Sequence, residues 1–388
     1  MRHFFSEFKN FFRKGDVILL ILLLTTTAFG CVMIASATNY RGTFRYVAIQ
    51  ALAAGLGVLA YMVMSSIDVE NFTSNFVWLV GFNTFLLLLL VPFGTDLGSG
   101  NKSWLDFPLL PIDIQPAEIC KITYILIMAA VMTRFRSRIS SIPAVIAMVI
   151  QLGLLAGLNM VVSRDAGVSL IFVFIFIGMA FAGGVSMVWF GLAGGAIVVA
   201  APFAWNYVLS AHQKNRIQVL FDPTLDPEGI DERFHSVRSL RSLTGGGFAG
   251  QGLFNGTRTQ NGELFAQHTD YIFSAIGEEM GFLGCAIVLL LMALIVARCI
   301  QIGRRSPDYT RRLICFGAAS ALIFQVMINV GMCIGVMPVI GLTLPFISYG
   351  ASSVVSIYAM LGLVSGSYAR PTSLSHERYV QPYRTYRL

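Results

Sequence analysis

Ten apolar runs, each long enough or nearly so to cross a membrane once, divide this chain and leave few ways for it to fold. They are Val17 to Ser36, Tyr46 to Ser65, Phe76 to Pro92, Pro116 to Thr133 and Ile142 to Val161, then Ala166 to Ala182, Val185 to Asn206, Tyr271 to Ala297, Arg312 to Met337 and Gly350 to Ala369. Hydrocarbon offers backbone groups no water to bond, so such runs cross as helices. Of 388 residues, 56% are hydrophobic and 12% charged, which excludes an ordinary soluble domain. The expectation is an all-α polytopic membrane protein with about ten transmembrane helices in a single domain over residues 1–388. Hydrophobicity is almost continuous across Gly183 and Gly184, where the glycines place a tight turn. Residues 1–16 are basic and aromatic and lead into a full-length span, so the first helix is expected to stay rather than be cleaved.

Lys and Arg near the span ends set the orientation. Arg2, Lys9, Arg13 and Lys14, the cluster Arg134, Arg136 and Arg138, and Arg298 to Arg312 share one side with the tail of residues 370–388. The short loops opposite carry only Arg41, Arg45, Lys102 and Arg164. Both termini are therefore expected in the cytoplasm, with two long polar connections facing outward: Thr95 to Gln115, and a large extracellular loop, residues 207–269, between the seventh and eighth spans. The net charge of +7 is spent in these clusters, which argues against nucleic acid as a partner. Six cysteines lie in or beside apolar runs without paired or metal-ligand spacing and read as packing residues.

Gly245 to Gly284 is the stretch around which chemistry gathers. A glycine-rich polar loop runs through His268, Thr269 and Asp270 into an apolar run that carries Glu278 and Glu279. Ionisable groups at membrane depth normally face a bundle interior or a cavity, which makes Asp270 the first catalytic candidate, with His268 beside it as a substrate-binding candidate. The glycines lack a Walker lysine and a strand-to-helix setting, so a nucleotide loop is rejected; close approach to a ligand or to another loop stays open.

Other motifs each carry two readings. Pro116 opens a helix on which Glu118 and Lys121 stand three apart. They form either a buried structural pair or a site in which Lys121 reaches a phosphate or the Asp270 carboxylate. Trp104 serves as an interfacial anchor or stacks on a sugar face. Arg216 places a guanidinium suited to phosphate in the large outward loop, against the alternative of a solvated loop face. Pro338, Gly341, Pro345, Ser348 and Gly350 break the backbone at membrane depth, as a cavity wall or as simple helix termination.

Taken in order, Trp104-Leu105-Asp106, Gln115-Pro116-Ala117-Glu118 with Lys121, Asp165-Ala166-Gly167, Arg216 to Pro223, Gly245 to Gly252, His268 to Phe273 with Gly277-Glu278-Glu279, and Asn329 to Gly350 resemble the SEDS family (shape, elongation, division and sporulation), whose members include RodA, FtsW and SpoVE. The resemblance covers nearly the whole chain, and Trp104-Leu105-Asp106 leans toward the RodA branch. It implies a ten-span peptidoglycan glycosyltransferase of the bacterial cytoplasmic membrane that polymerises lipid II and works with a class B penicillin-binding protein. The family's essential loop aspartate falls on Asp270 and its outward tryptophan on Trp104. The chain departs from the family pattern at Ser103, Ala117 and Ala351, and serine at 103 removes a phosphate ligand.

On that reading Asp270 is the general base, and Lys121, Arg216 and Arg45 neutralise the departing pyrophosphate. Glu118, His268, Ser348 and Trp104 complete the substrate-binding set, and a divalent cation (Mg or Mn) could share the charge. A flippase for a lipid-linked cell-wall precursor is the rival reading, and a scaffold that only recruits the crosslinking partner is a third.

Overall fold

The computed structural model describes residues 15–96, 101–106, 113–208, 211–222, 226, 234–264 and 266–368. Among them nine helices are long and apolar enough to cross a membrane, and they coincide with the first nine predicted runs. The tenth run forms a helix of 16 residues, Ala351–Gly366, about 24 Å long at 1.5 Å per residue. It can be short because protein rather than lipid covers it: most of its residues are buried. The chain is thus a multi-pass membrane protein.

In chain order the helices are α1 (Val17–Thr38), α2 (Arg45–Ser66), α3 (Val69–Ser74), α4 (Phe76–Leu88), α5 (Leu90–Phe93), α6 (Pro116–Arg134), α7 (Ile142–Val162), α8 (Ala166–Gly183) and α9 (Met187–Phe203). After them come α10 (Ala211–Phe221), α11 (Phe234–Gly245), α12 (Thr257–Asn261), α13 (Ile272–Arg305), α14 (Tyr309–Cys333) and α15 (Ala351–Gly366). Two short strands, β1 (Gly94–Thr95) and β2 (Trp104–Leu105), pair antiparallel in the connection between α5 and α6, with Thr95 opposite Trp104.

Buriedness grades these helices from centre to rim. Helix α6 is central, buried on nearly every side, and opens on Pro116, whose missing N–H is harmless in a first turn. Helix α9 has no buried residue and lies at the edge. Helices α2 and α15 pack closely because Gly362 rests against the Tyr61 carbonyl, where an added Cβ would come within 2.5 Å. Carboxylates cap the entry of several spans: Asp16 accepts from Leu19 N, Asp165 from Val168 N, and Asp308 from Thr310 and Arg311 N. All six cysteines are free.

The described part of the large connection holds helices of its own. It carries α10, α11 and α12, and its glycine-rich part docks onto α13. Helix α13 is interrupted at Gly281 (φ 65°, ψ −159°), a conformation that excludes side chains. Into this break the loop inserts its backbone: Gln251 N donates to Glu278 O (3.0 Å), Gly252 N to Glu279 O (2.9 Å), and Phe282 N to Gly247 O (2.9 Å). The two glutamates close the junction. Glu278 accepts from Arg258 N, Thr259 N and Thr259 Oγ1, capping α12. Glu279 accepts from Phe254 N, Gln260 Nε2 and Ser36 Oγ. Both are fully buried, and these bonds account for charge at that depth.

Candidate active site

Asp270 sits on a tight turn just before α13. Ala266, held at φ 49°, accepts from Thr269 N and Tyr271 N, which fixes the turn. Three residues of other elements then hold the turn through its main chain. Asn329 Nδ2 donates to Asp270 O (2.8 Å) and to Leu342 O (2.7 Å). Ser348 Oγ donates to Thr269 O (2.6 Å) and accepts from Leu344 N (2.9 Å). Tyr349 N donates to His268 O (2.8 Å). The broken backbone of residues 338–350 therefore packs as a wall against the Asp270 turn. Gln50, buried in α2, holds that wall by donating to Ser348 O and accepting from Gly350 N.

The carboxylate itself is left free. Among the described residues no hydrogen bond or ion pair reaches its oxygens, and Oδ2 lies 3.7 Å from where a Cβ of Gly341 would stand. Burial lifts its pKa to about 6. A carboxylate so poised is ionised at neutral pH yet basic enough to take a proton.

The His268 ring lies 4.8 Å from that of Tyr46 and 5.8 Å from that of Tyr349. Burial, with Arg41 nearby, lowers its pKa to about 4, so at neutral pH it is an uncharged imidazole. Arg41 donates to the hydroxyls of Tyr40 and Tyr46. Arg45 is exposed at the start of α2 and close enough to Asp113 and Tyr349 to act on both electrostatically.

A second polar group borders the same wall. Lys121 Nζ meets Glu118 at 2.8 Å, both buried, so the two stand together as the spacing allowed. Among the described residues no ion pair joins Lys121 to Asp270. Asp165 receives Ser103 Oγ and Gln115 Nε2, both at 3.5 Å, and burial raises its pKa. Gln115 N donates to Ser352 Oγ, linking this group to the segment that carries Ser348. Trp104, in β2, is next in sequence to Ser103 and half-buried. Arg216 belongs to α10, but its side chain falls outside the described residues.

No group of three or more His, Cys, Asp or Glu side chains that could hold a metal ion occurs among the described residues. The mechanism proposed for this site uses the chain's own side chains alone. Sequence reasoning gave no role to Gln50 and Asn329, although each is a polar residue inside an apolar run, the signal that could have found them.

The family model described as "Cell cycle protein", covering FtsW, RodA and SpoVE, matches residues 16–369. The chain belongs to this family. It is 28% identical to peptidoglycan glycosyltransferase MrdB of Escherichia coli over 93% of this chain and 95% of that protein. To the probable peptidoglycan glycosyltransferase FtsW of Trichlorobacter lovleyi it is 31% identical, over 89% and 91% respectively. A chain in a solved peptidoglycan synthase complex, described as coordinating polymerization and crosslinking, superposes with a TM-score of 0.76 at 28% identity, covering 95% of this chain and 99% of that one. The SEDS resemblance read from the motifs agrees with this family match over residues 16–369.

Proposed function

We propose that this protein is a peptidoglycan glycosyltransferase that polymerises lipid II at the outer face of the bacterial cytoplasmic membrane, with Asp270 as general base. The observation that carries the assignment is the Asp270 carboxylate, free of partners among the described residues, shifted toward neutrality and fixed through its backbone by Asn329.

The acceptor sugar's 4-hydroxyl gives its proton to Asp270 as its oxygen bonds the donor's anomeric carbon. The bond from that carbon to the pyrophosphate oxygen breaks, and undecaprenyl pyrophosphate leaves with inversion. A positioned base is worth about 10² to 10⁴ in rate. Fixed cations favour the charge growing on the leaving group. Arg45, Arg216 and Lys121 are assigned that task, Lys121 through the N–H groups not turned to Glu118. Neutral His268, with Tyr46 and Tyr349, offers a sugar-sized aromatic rim beside the base, and Trp104 a second stacking face. Glu118 holds Lys121, and Ser348 holds the turn.

The partner proposed for crosslinking the product is a class B penicillin-binding protein, in keeping with the complex that the superposed chain comes from. The test is labelled lipid II given to the purified protein with and without that partner, with products resolved by length. A ladder of glycan strands supports the assignment. Lipid II crossing proteoliposome leaflets without any ladder would replace it by transport.

A further inference from the structure

We propose that the basic face around Tyr309 is a binding site for the phosphate of an anionic phospholipid. Tyr309 opens α14, is buried, and donates its hydroxyl to Gly183 O at 2.8 Å, where α8 ends. Two guanidiniums from different elements lie over its ring, Arg136 at 5.0 Å and Arg312 at 5.1 Å. Arg134 and Arg138, two residues either side of Arg136 in the chain, lie over Phe76 and Phe135.

What sets these four apart is the absence of counter-charge. On the same side of the molecule Arg298 pairs with Asp16 at 2.7 Å, and Arg311 faces Asp68 at 3.7 Å and Asp308 at 3.6 Å. Among the described residues, none of Arg134, Arg136, Arg138 and Arg312 has a carboxylate partner, and Arg312 Nε is sealed from solvent without an acceptor. The nearest acid in sequence, Asp308, is taken by Arg311 and by its capping bonds. Helices α6 and α8 end here, and each C-terminus contributes about half a negative charge. The N-terminus of α14, also here, adds about half a positive charge back, so among the described residues the face is short of an anion.

The position decides which anion. The four arginines stand at the ends of membrane spans, at headgroup level, where anionic lipids concentrate and attract basic clusters. A guanidinium over a ring keeps its charge at every relevant pH, and its fork of N–H groups matches phosphate oxygens bidentately. Stacking leaves less side-chain freedom to lose on binding, which favours a site over a diffuse ion atmosphere.

The test uses the whole purified protein in detergent. Native mass spectrometry and thermal unfolding are followed as cardiolipin, phosphatidylglycerol, phosphatidylethanolamine or inorganic phosphate is added. The anionic lipids are expected to bind and to raise the unfolding temperature, the other two not. In Arg136→Gln/Arg312→Gln the apparent Kd for cardiolipin should weaken about tenfold or more. Arg304→Gln/Arg305→Gln, with the same loss of charge on exposed residues of α13, should bind as the parent does. If the double variant folds poorly, Arg136→Gln alone, at an exposed position, should weaken binding several-fold. Unchanged binding in the Arg136 variants, equal weakening in the Arg304/Arg305 control, or equal stabilisation by inorganic phosphate or phosphatidylethanolamine would overturn the site.

Discussion

Asn329 Nδ2 donates at 2.8 Å to the carbonyl of Asp270 and at 2.7 Å to that of Leu342, so one amide ties the turn carrying the carboxylate to the broken backbone facing it. Asn329 is fully buried, and its position rather than any contact with substrate is what it contributes. Replacing it by Ala removes both bonds and leaves buried carbonyls short of donors, a cost of about 1–3 kcal/mol. Polymerisation by Asn329→Ala is expected to fall in kcat by about 10- to 100-fold with KM little changed, because a displaced base spoils the reacting geometry more than binding. Steady-state kinetics on labelled lipid II decide it; a KM effect alone would assign Asn329 to substrate binding.

Asp270 carries a stability cost whose sign follows from its pKa. The unfolded carboxyl titrates near 3.8, the folded one at about 6, so folding favours the protonated form. This group's contribution is therefore fully present below the unfolded pKa and is lost as pH rises through about 6. The difference of about 2 units corresponds to about 3 kcal/mol at pH 7. Asp270→Asn is expected to unfold at a higher temperature than the parent at pH 7, with the gap closing near pH 4. Thermal unfolding of both proteins across that range checks it, and an Asn variant less stable at pH 7 would show that the carboxylate has a partner.

The junction between the glycine-rich loop and α13 leaves no room for side chains. Gly250 has φ +83°, and a Cβ there would stand 2.1 Å from Glu279 O, a backbone atom that cannot swing away. Gly250→Ala is expected to undock the loop, lowering stability by about 2 kcal/mol or more and raising proteolysis between residues 245 and 262. Limited proteolysis mapped by mass spectrometry gives the answer.

Glu278 caps α12 while fully buried, so its removal exposes the cost of three unpaired donors. Glu278→Ala is expected to destabilise by about 3 kcal/mol or more, and Glu278→Gln by less, since an amide oxygen in the place of Oε2 still accepts both bonds from Thr259. Unfolding midpoints of the two variants rank the effects; equal midpoints would mean that the charge, not the cap, matters.

The spans were legible because length and unbroken hydrophobicity are properties of a single segment. Only the last came out shorter than the others, since burial by α2, which sequence does not show, lets 16 residues suffice. The site was legible in part. Asp270 announced itself as a charge at the root of a membrane helix. Glu278 and Glu279 gave the same signal, yet the structure ties them to α12 and the loop, because a buried acid can be satisfied by main-chain donors that no side-chain motif reveals. For the same reason Gln50 and Asn329 carried no role: both act on the carbonyls of distant residues. The glycines left open a ligand or another segment as their neighbour, and the neighbour is the gap at Gly281.

The central claim is that the Asp270 carboxylate accepts the proton of the attacking hydroxyl, and the pH dependence of polymerisation tests it most directly. With labelled lipid II and the crosslinking partner present, kcat/KM should rise with pH through about 6 and level off above it, reporting the free enzyme's base. Asp270→Asn should lose about 10² to 10⁴ in rate and that pH limb with it. A variant that polymerises near the parent rate, or one that keeps the same limb, would contradict the assignment.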